Sequence, residues 1–160
     1  MEPDWSSQPS PPADAEPSPA AARLAAALAE RLAAVLPPPF RAEADGGWVS
    51  LYHDDAWDGS SDVAGVFDQA LDPADRDDPA WSFAGRARMV AWNVLSSAQD
   101  AVAEVTTEPW PVLPDGRMAL PGTRADGERV YLWYGPDYES EAGAVLTLAP
   151  IALAGPEQAG

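Results

Sequence analysis

AWSFAGRARMVAWNVLSSAQDAVAEVT, residues 80–106, is the stretch that decides the fold. Turned by about 100° per residue, Phe83, Ala87, Val90, Val94, Ala98, Ala101 and Val105 gather in a narrow arc, and Asn93, Ser97, Asp100 and Glu104 group elsewhere. The spacing predicts a long amphipathic helix at the centre of the molecule. Glu108-Pro109-Trp110-Pro111 ends it, because proline and the residue before it resist helical dihedrals. Met89 and Trp92 fall roughly opposite the apolar arc, among Arg88, Ser96 and Gln99. They are read as either a second packed layer or a docking strip for a partner.

Working outward toward the N-terminus, FRAEADGGWVSLYH at 40–53 alternates on both sides of Asp45-Gly46-Gly47 and predicts a β-hairpin. Before it, Ser18 offers an N-cap and Pro19 a tolerated first-turn proline, with Leu24, Leu28, Leu32 and Val35 at helical spacing up to Pro37-Pro38-Pro39. Toward the C-terminus a proline-punctuated loop follows the long helix, with turn signals at Asp115-Gly116 and Asp126-Gly127. VYLWYG (130–135) and VLTLAPI (145–151) then predict a second hairpin. VAGVFDQAL at 63–71 suits a third strand or a short helix equally. RAEADGGWVSLY (41–52) and RADGERVYLWY (124–134) echo each other as a turn followed by an apolar and aromatic strand.

The order helix, hairpin, acidic segment, helix, hairpin predicts an α+β domain over 19–153, a mostly antiparallel sheet with helices on one face. Residues 1–18, rich in proline and acids, are expected to be a disordered tail, and 154–160 a frayed end.

Composition restricts partners more than it restricts fold. The 160 residues carry nine arginines and no lysine against 26 acids, a formal charge of −17, which repels nucleic-acid phosphates and anionic membranes. No cysteine is present, so disulfides, thiolate metal sites and thiol nucleophiles are excluded. The arginine-only basic set and abundant alanine fit the coding bias of a GC-rich bacterial genome. No run approaches the roughly 20 apolar residues of a membrane span, and the N-terminus lacks the basic and apolar regions of a signal peptide, so a cytoplasmic location is expected.

Residues 43–78 hold eleven acids and one arginine, Arg76, and are expected to form a solvated loop in which Asp54, Asp55, Asp58 and Asp62 steer encounter with a basic partner. Setting Gly59 at the glycine of a calcium loop leaves Ala56 and Gly65 where ligands belong, so the EF-hand pattern fails and no metal or cofactor is expected. His53, beside Asp54 and Asp55, is the one candidate general base. No G-x-S-x-G, H-E-x-x-H or phosphate-loop motif accompanies it, and no catalytic residue is assigned.

Alternation along the strands sends Val49, Leu51, Val130, Leu132, Leu146 and Leu148 toward the helices, and Trp48, Tyr52, Tyr131 and Trp133 to the other face. A solvated sheet face is ordinarily polar. Aromatic side chains there are read either as second-layer core beneath the tail, the 54–78 segment or the 109–125 loop, or as a contact platform, since tryptophan and tyrosine dominate cores and interface energetics alike. The leading expectation is a non-enzymatic acidic interaction protein, in an adaptor, chaperone-like, immunity or accessory role. It docks on another protein with a basic surface or on a second copy of itself. The alternatives are a nucleic-acid mimic that occupies a DNA- or RNA-binding protein, and a small carboxylate-dependent hydrolase.

Overall fold

The computed structural model describes residues 16–68, 78 and 82–153. Of the expected tail, residues 1–15 lie outside the described residues, as does the whole 154–160 segment. The elements are α1 (Pro19–Ala33), β1 (Phe40–Asp45), β2 (Trp48–His53), β3 (Ala56–Asp62), α2 (Val63–Phe67), α3 (Phe83–Thr106), β4 (Leu120–Ala125), β5 (Arg129–Gly135) and β6 (Leu146–Ala152). The molecule is α+β.

Both long helices begin where a serine can satisfy an orphan N–H. Ser18 is extended and its Oγ accepts from the Ala21 amide at 3.1 Å, and Ser82 does the same for Gly85 at 3.0 Å. α1 buries Leu24, Leu28 and Leu32 with Ala21, Ala25 and Ala29, the predicted stripe. α3 buries Ala87, Val90, Val94, Ala98 and Ala101, while Val105, in the last turn of the helix, is exposed. α3 stops at Thr107, whose left-handed φ of 58° cannot continue a helix.

The strands form two separate sheets rather than one, ordered β1-β2-β3 and β4-β5-β6, each an antiparallel meander. Gly46, at φ 59°, makes the β1–β2 turn. Two strands replace expected loops. Residues 56–62 pair with β2 although AWDGSSD shows no apolar alternation, which corrects the solvated loop for this part of the acidic segment. Residues 120–125 pair with β5 despite Pro121, because β4 is an edge strand where a missing N–H leaves no ladder bond unmade. The 63–71 ambiguity resolves as helix for Val63–Phe67, with Asp62 Oδ1 accepting from the Gly65 amide at 2.8 Å.

The inner faces meet the helices. α1 packs on β1 and β2 and reaches β6, and α3 packs on β3, β4 and β5. Val49, Leu51, Val130, Leu132 and Leu148 are buried as alternation predicts, and Leu146 is half-buried. Two polar ties lock the layers. Arg31 donates from Nε to the Ala149 carbonyl at 2.9 Å and from Nη2 to the Pro150 carbonyl at 3.1 Å, joining α1 to β6. Tyr134, fully buried, donates its hydroxyl proton to the Leu95 carbonyl of α3 at 2.7 Å, and burial raises its phenol pKa above the ordinary range, with Asp100 adding to the effect. None of the described helices is long and apolar enough to cross a membrane.

Candidate docking surface

Register fixes which side chains share the outer face of the first sheet. Arg41, Glu43 and Asp45 of β1 stand directly opposite Tyr52, Ser50 and Trp48 of β2, which in turn stand opposite Trp57, Ser60 and Asp62 of β3. A bulge between Leu51 and Tyr52 shifts the β2–β3 pairing by one residue and brings Trp57, instead of Asp58, opposite Tyr52. Three aromatic side chains therefore share one face. Trp57 is 65% exposed and Trp48 47% exposed, with Tyr52 half-buried between the arginine and Trp57.

Two of the rings, Trp57 and Tyr52, are held in place by polar contacts. The Trp57 indole donates to Ser60 Oγ at 2.9 Å, and Ser60 Oγ shares a hydrogen bond with Ser50 Oγ at 2.8 Å. The Arg41 guanidinium sits 4.9 Å from the Tyr52 ring centroid, pairs with Glu43 at 3.0 Å, and donates to the Asp54 carbonyl at 3.3 Å. Over 40–62 the acids Glu43, Asp45, Asp54, Asp55, Asp58 and Asp62 oppose this one arginine, leaving a net charge of −5.

The acids expected to steer are not equivalent. Asp54 and Asp55 form the exposed β2–β3 turn, Asp54 in a left-handed conformation at φ 56°. Asp58 is half-buried at the bulge, and its Oδ2 has no hydrogen-bond partner among the described residues. Asp62 caps α2, and farther along Asp68 accepts from the Ser18 amide at 2.9 Å and the Ser18 hydroxyl at 2.6 Å. These acids occupy a turn, a bulge and two capping positions instead of an even stripe.

The second sheet departs from expectation. Tyr131 and Trp133 do lie on its outer side, opposite Arg124 and Gly122. Trp133, however, is 0% exposed, which overturns its outward display. Its indole nitrogen donates to the Asp137 carbonyl at 2.9 Å, and its ring rests where a Cβ on Gly122 would fall. Arg124 stacks 4.1 Å from the Tyr131 centroid and reaches Glu141 at 2.8 Å, so the 136–145 connection is tied down across this face. Tyr131 is half-buried, its hydroxyl donating to Asp126 Oδ2 at 3.3 Å.

Met89 and Trp92 belong to a different surface, on α3 beside β4, where Trp92 is 39% exposed and donates from its indole nitrogen to the Pro121 carbonyl at 3.1 Å. His53 packs its ring 4.8 Å from Phe40 at the end of β2. Among the described residues no three histidine or carboxylate side chains converge. Trp57 joins the exposed rings of the first sheet through β3, which no apolar alternation announces. The chain matches no protein-family model, and comparison with curated proteins and with solved structures finds no match.

Proposed function

We propose that this chain is a non-enzymatic interaction protein that docks a basic, extended segment of a partner protein on the outer face of its first sheet. The observation that carries the reading is the open set Trp48, Tyr52 and Trp57, framed by Glu43, Asp45, Asp54, Asp55 and Asp62. Cationic side chains gain by lying over tryptophan faces, about 0.5–1 kcal/mol each at exposed sites and more once water is excluded. The surrounding carboxylates are placed to pair with the same cations, and the −17 charge speeds their approach while deterring anionic competitors.

Titration with oligoarginine and oligolysine peptides tests this, because charge alone and charge plus rings respond differently to one double variant. Trp48→Ala with Trp57→Ala leaves the net charge untouched and is expected to weaken binding by at least about 2 kcal/mol, roughly 30-fold. Trp92→Ala, on the other surface, is expected to leave it unchanged. Equal affinity for wild type and the double variant would sink the platform and leave only diffuse attraction. Light scattering of the chain alone separates docking on a second copy, which would show as a dimer that the same double variant dissolves.

A further inference from the structure

A groove of about 410 Å³ runs between α3 and the edge strand β4, far from the platform by sequence and built from other elements. Its lining is apolar apart from two groups: Met89, Trp92, Leu120, Pro121 and Tyr138 are joined by Arg88 and Thr123. Concave sites of this size with mostly apolar walls and few polar groups are the usual form of small-ligand sites. Trp92, Leu120 and Tyr138 keep 39%, 43% and 57% of their surface exposed here, so the walls are wet and apolar at once.

Two polar groups lack partners. Arg88 makes no ion pair or hydrogen bond among the described residues, and the helix positions three and four away on either side, Ala84, Gly85, Ala91 and Trp92, carry no acid. Asp137 and Glu139 flank Tyr138 on the facing connection, yet neither is within ion-pair distance of Arg88. Thr123 is only 6% exposed, and its hydroxyl is buried with no hydrogen-bond partner among the described residues. The indole nitrogen of Trp92 is already engaged by the Pro121 carbonyl, so it is a wall and not a free donor.

We infer that this groove binds a small amphipathic carboxylate, aromatic or short-chain aliphatic, whose acid group meets Arg88 and whose apolar body lies along Trp92, Met89, Leu120 and Tyr138. The guanidinium supplies a charge-assisted contact, which a neutral apolar molecule cannot use. Thr123 lines the same wall, its hydroxyl buried and without a partner among the described residues. The overall negative charge does not forbid this, because charges beyond about 8 Å are largely screened at physiological ionic strength.

The test is a ¹H–¹⁵N chemical-shift titration of the full chain with octanoate, reading the Trp92 indole N–H and the Thr123 and Tyr138 amides. Octanoate is expected to move these signals and octanol to do so with on the order of tenfold weaker affinity. Arg88→Gln is expected to weaken octanoate to the level of octanol and Arg88→Glu to weaken it further, each preserving the rest of the spectrum, which shows that the fold is kept. Trp48→Ala with Trp57→Ala is expected to change nothing, so this site stands or falls apart from the platform. Octanol binding as well as octanoate, undiminished binding to the Arg88 variants, or shifts confined to the first sheet would each overturn the assignment.

Discussion

The two sheets are built to one plan and finished differently. Each is a three-stranded antiparallel meander, and each lays an arginine of its first strand over a directly paired tyrosine of its second, Arg41 over Tyr52 and Arg124 over Tyr131. Two residues farther along the second strand the plans part. In the second sheet Trp133 faces Gly122, and the missing side chain lets the indole lie flat under a connection tied by Asp137 and Glu141. In the first sheet the β2–β3 link is a tight turn, and among the described residues Trp48 and Trp57 stay open. Connection length, more than the strand sequence, separates a sealed tryptophan from an exposed one.

Truncation should expose that difference most strongly. Trp133→Ala removes a fully buried indole and is expected to lose about 3–5 kcal/mol in urea denaturation. Trp48→Ala with Trp57→Ala is expected to stay within about 1 kcal/mol, because the lost surface was already wet. Comparable losses from the two would mean that the first face is covered after all. A smaller insult at the same place is Gly122→Ala. The new methyl meets the Trp133 ring, and overpacking of this kind costs about 1–3 kcal/mol. In the first sheet the outward pair two residues before Tyr52 sets Glu43 opposite Ser50 with no ring between them, so Glu43→Ala there should be nearly neutral.

The inner side of the second sheet gives a pH signature that the outer faces do not share. Burial, with the Asp100 charge adding, raises the Tyr134 phenol above its ordinary value of 10.0, so folding favours the neutral form. The stabilisation is complete below pH 10.0 and declines as pH rises beyond it, by about 1.4 kcal/mol per pH unit while the unfolded chain ionises and the folded chain does not. Tyr134→Phe should lose the Leu95 hydrogen bond, about 1 kcal/mol near neutrality, and flatten the alkaline decline. A decline of the same slope in that variant would assign it elsewhere.

The long helix and the two hairpins were legible because their signals are local: the 3.6-residue repeat from Ala87 to Ala101, the Ser18 cap, and alternation around Gly46. β3 and β4 were not, for opposite reasons. AWDGSSD carries no large apolar residue but Trp57 and shows no apolar period, because it is an edge strand with an open outer side that backbone pairing holds in place. LPGTRA hides behind a proline that only an edge position excuses. Two of the three outward rings of the first sheet were therefore readable, since Trp48 and Tyr52 follow from β2 alone, whereas Trp57 depends on β3 and on a bulge that alternation does not encode. The sealing of Trp133 is non-local: it requires Gly122 and Asp137 to meet on one ring, and neither carries an apolar side chain to announce the contact.

The smallest expected effect asks whether the open rings are set before a partner arrives. Ser60 Oγ is the hub of the face, accepting from Trp57 and bonded to Ser50. In Ser60→Ala the indole nitrogen turns to water, and because the site is exposed the fold should lose no more than about 0.5 kcal/mol. The cost appears on binding, where an indole that is no longer fixed must be ordered, at about 0.5–1.5 kcal/mol for such a side chain. Oligoarginine affinity should therefore fall by roughly threefold while stability holds, and Ser50→Ala, one bond farther from the ring, should do less. If Ser60→Ala binds as wild type does, the hydrogen bond is incidental and the platform owes its geometry to the backbone pairing of Tyr52 with Trp57 alone.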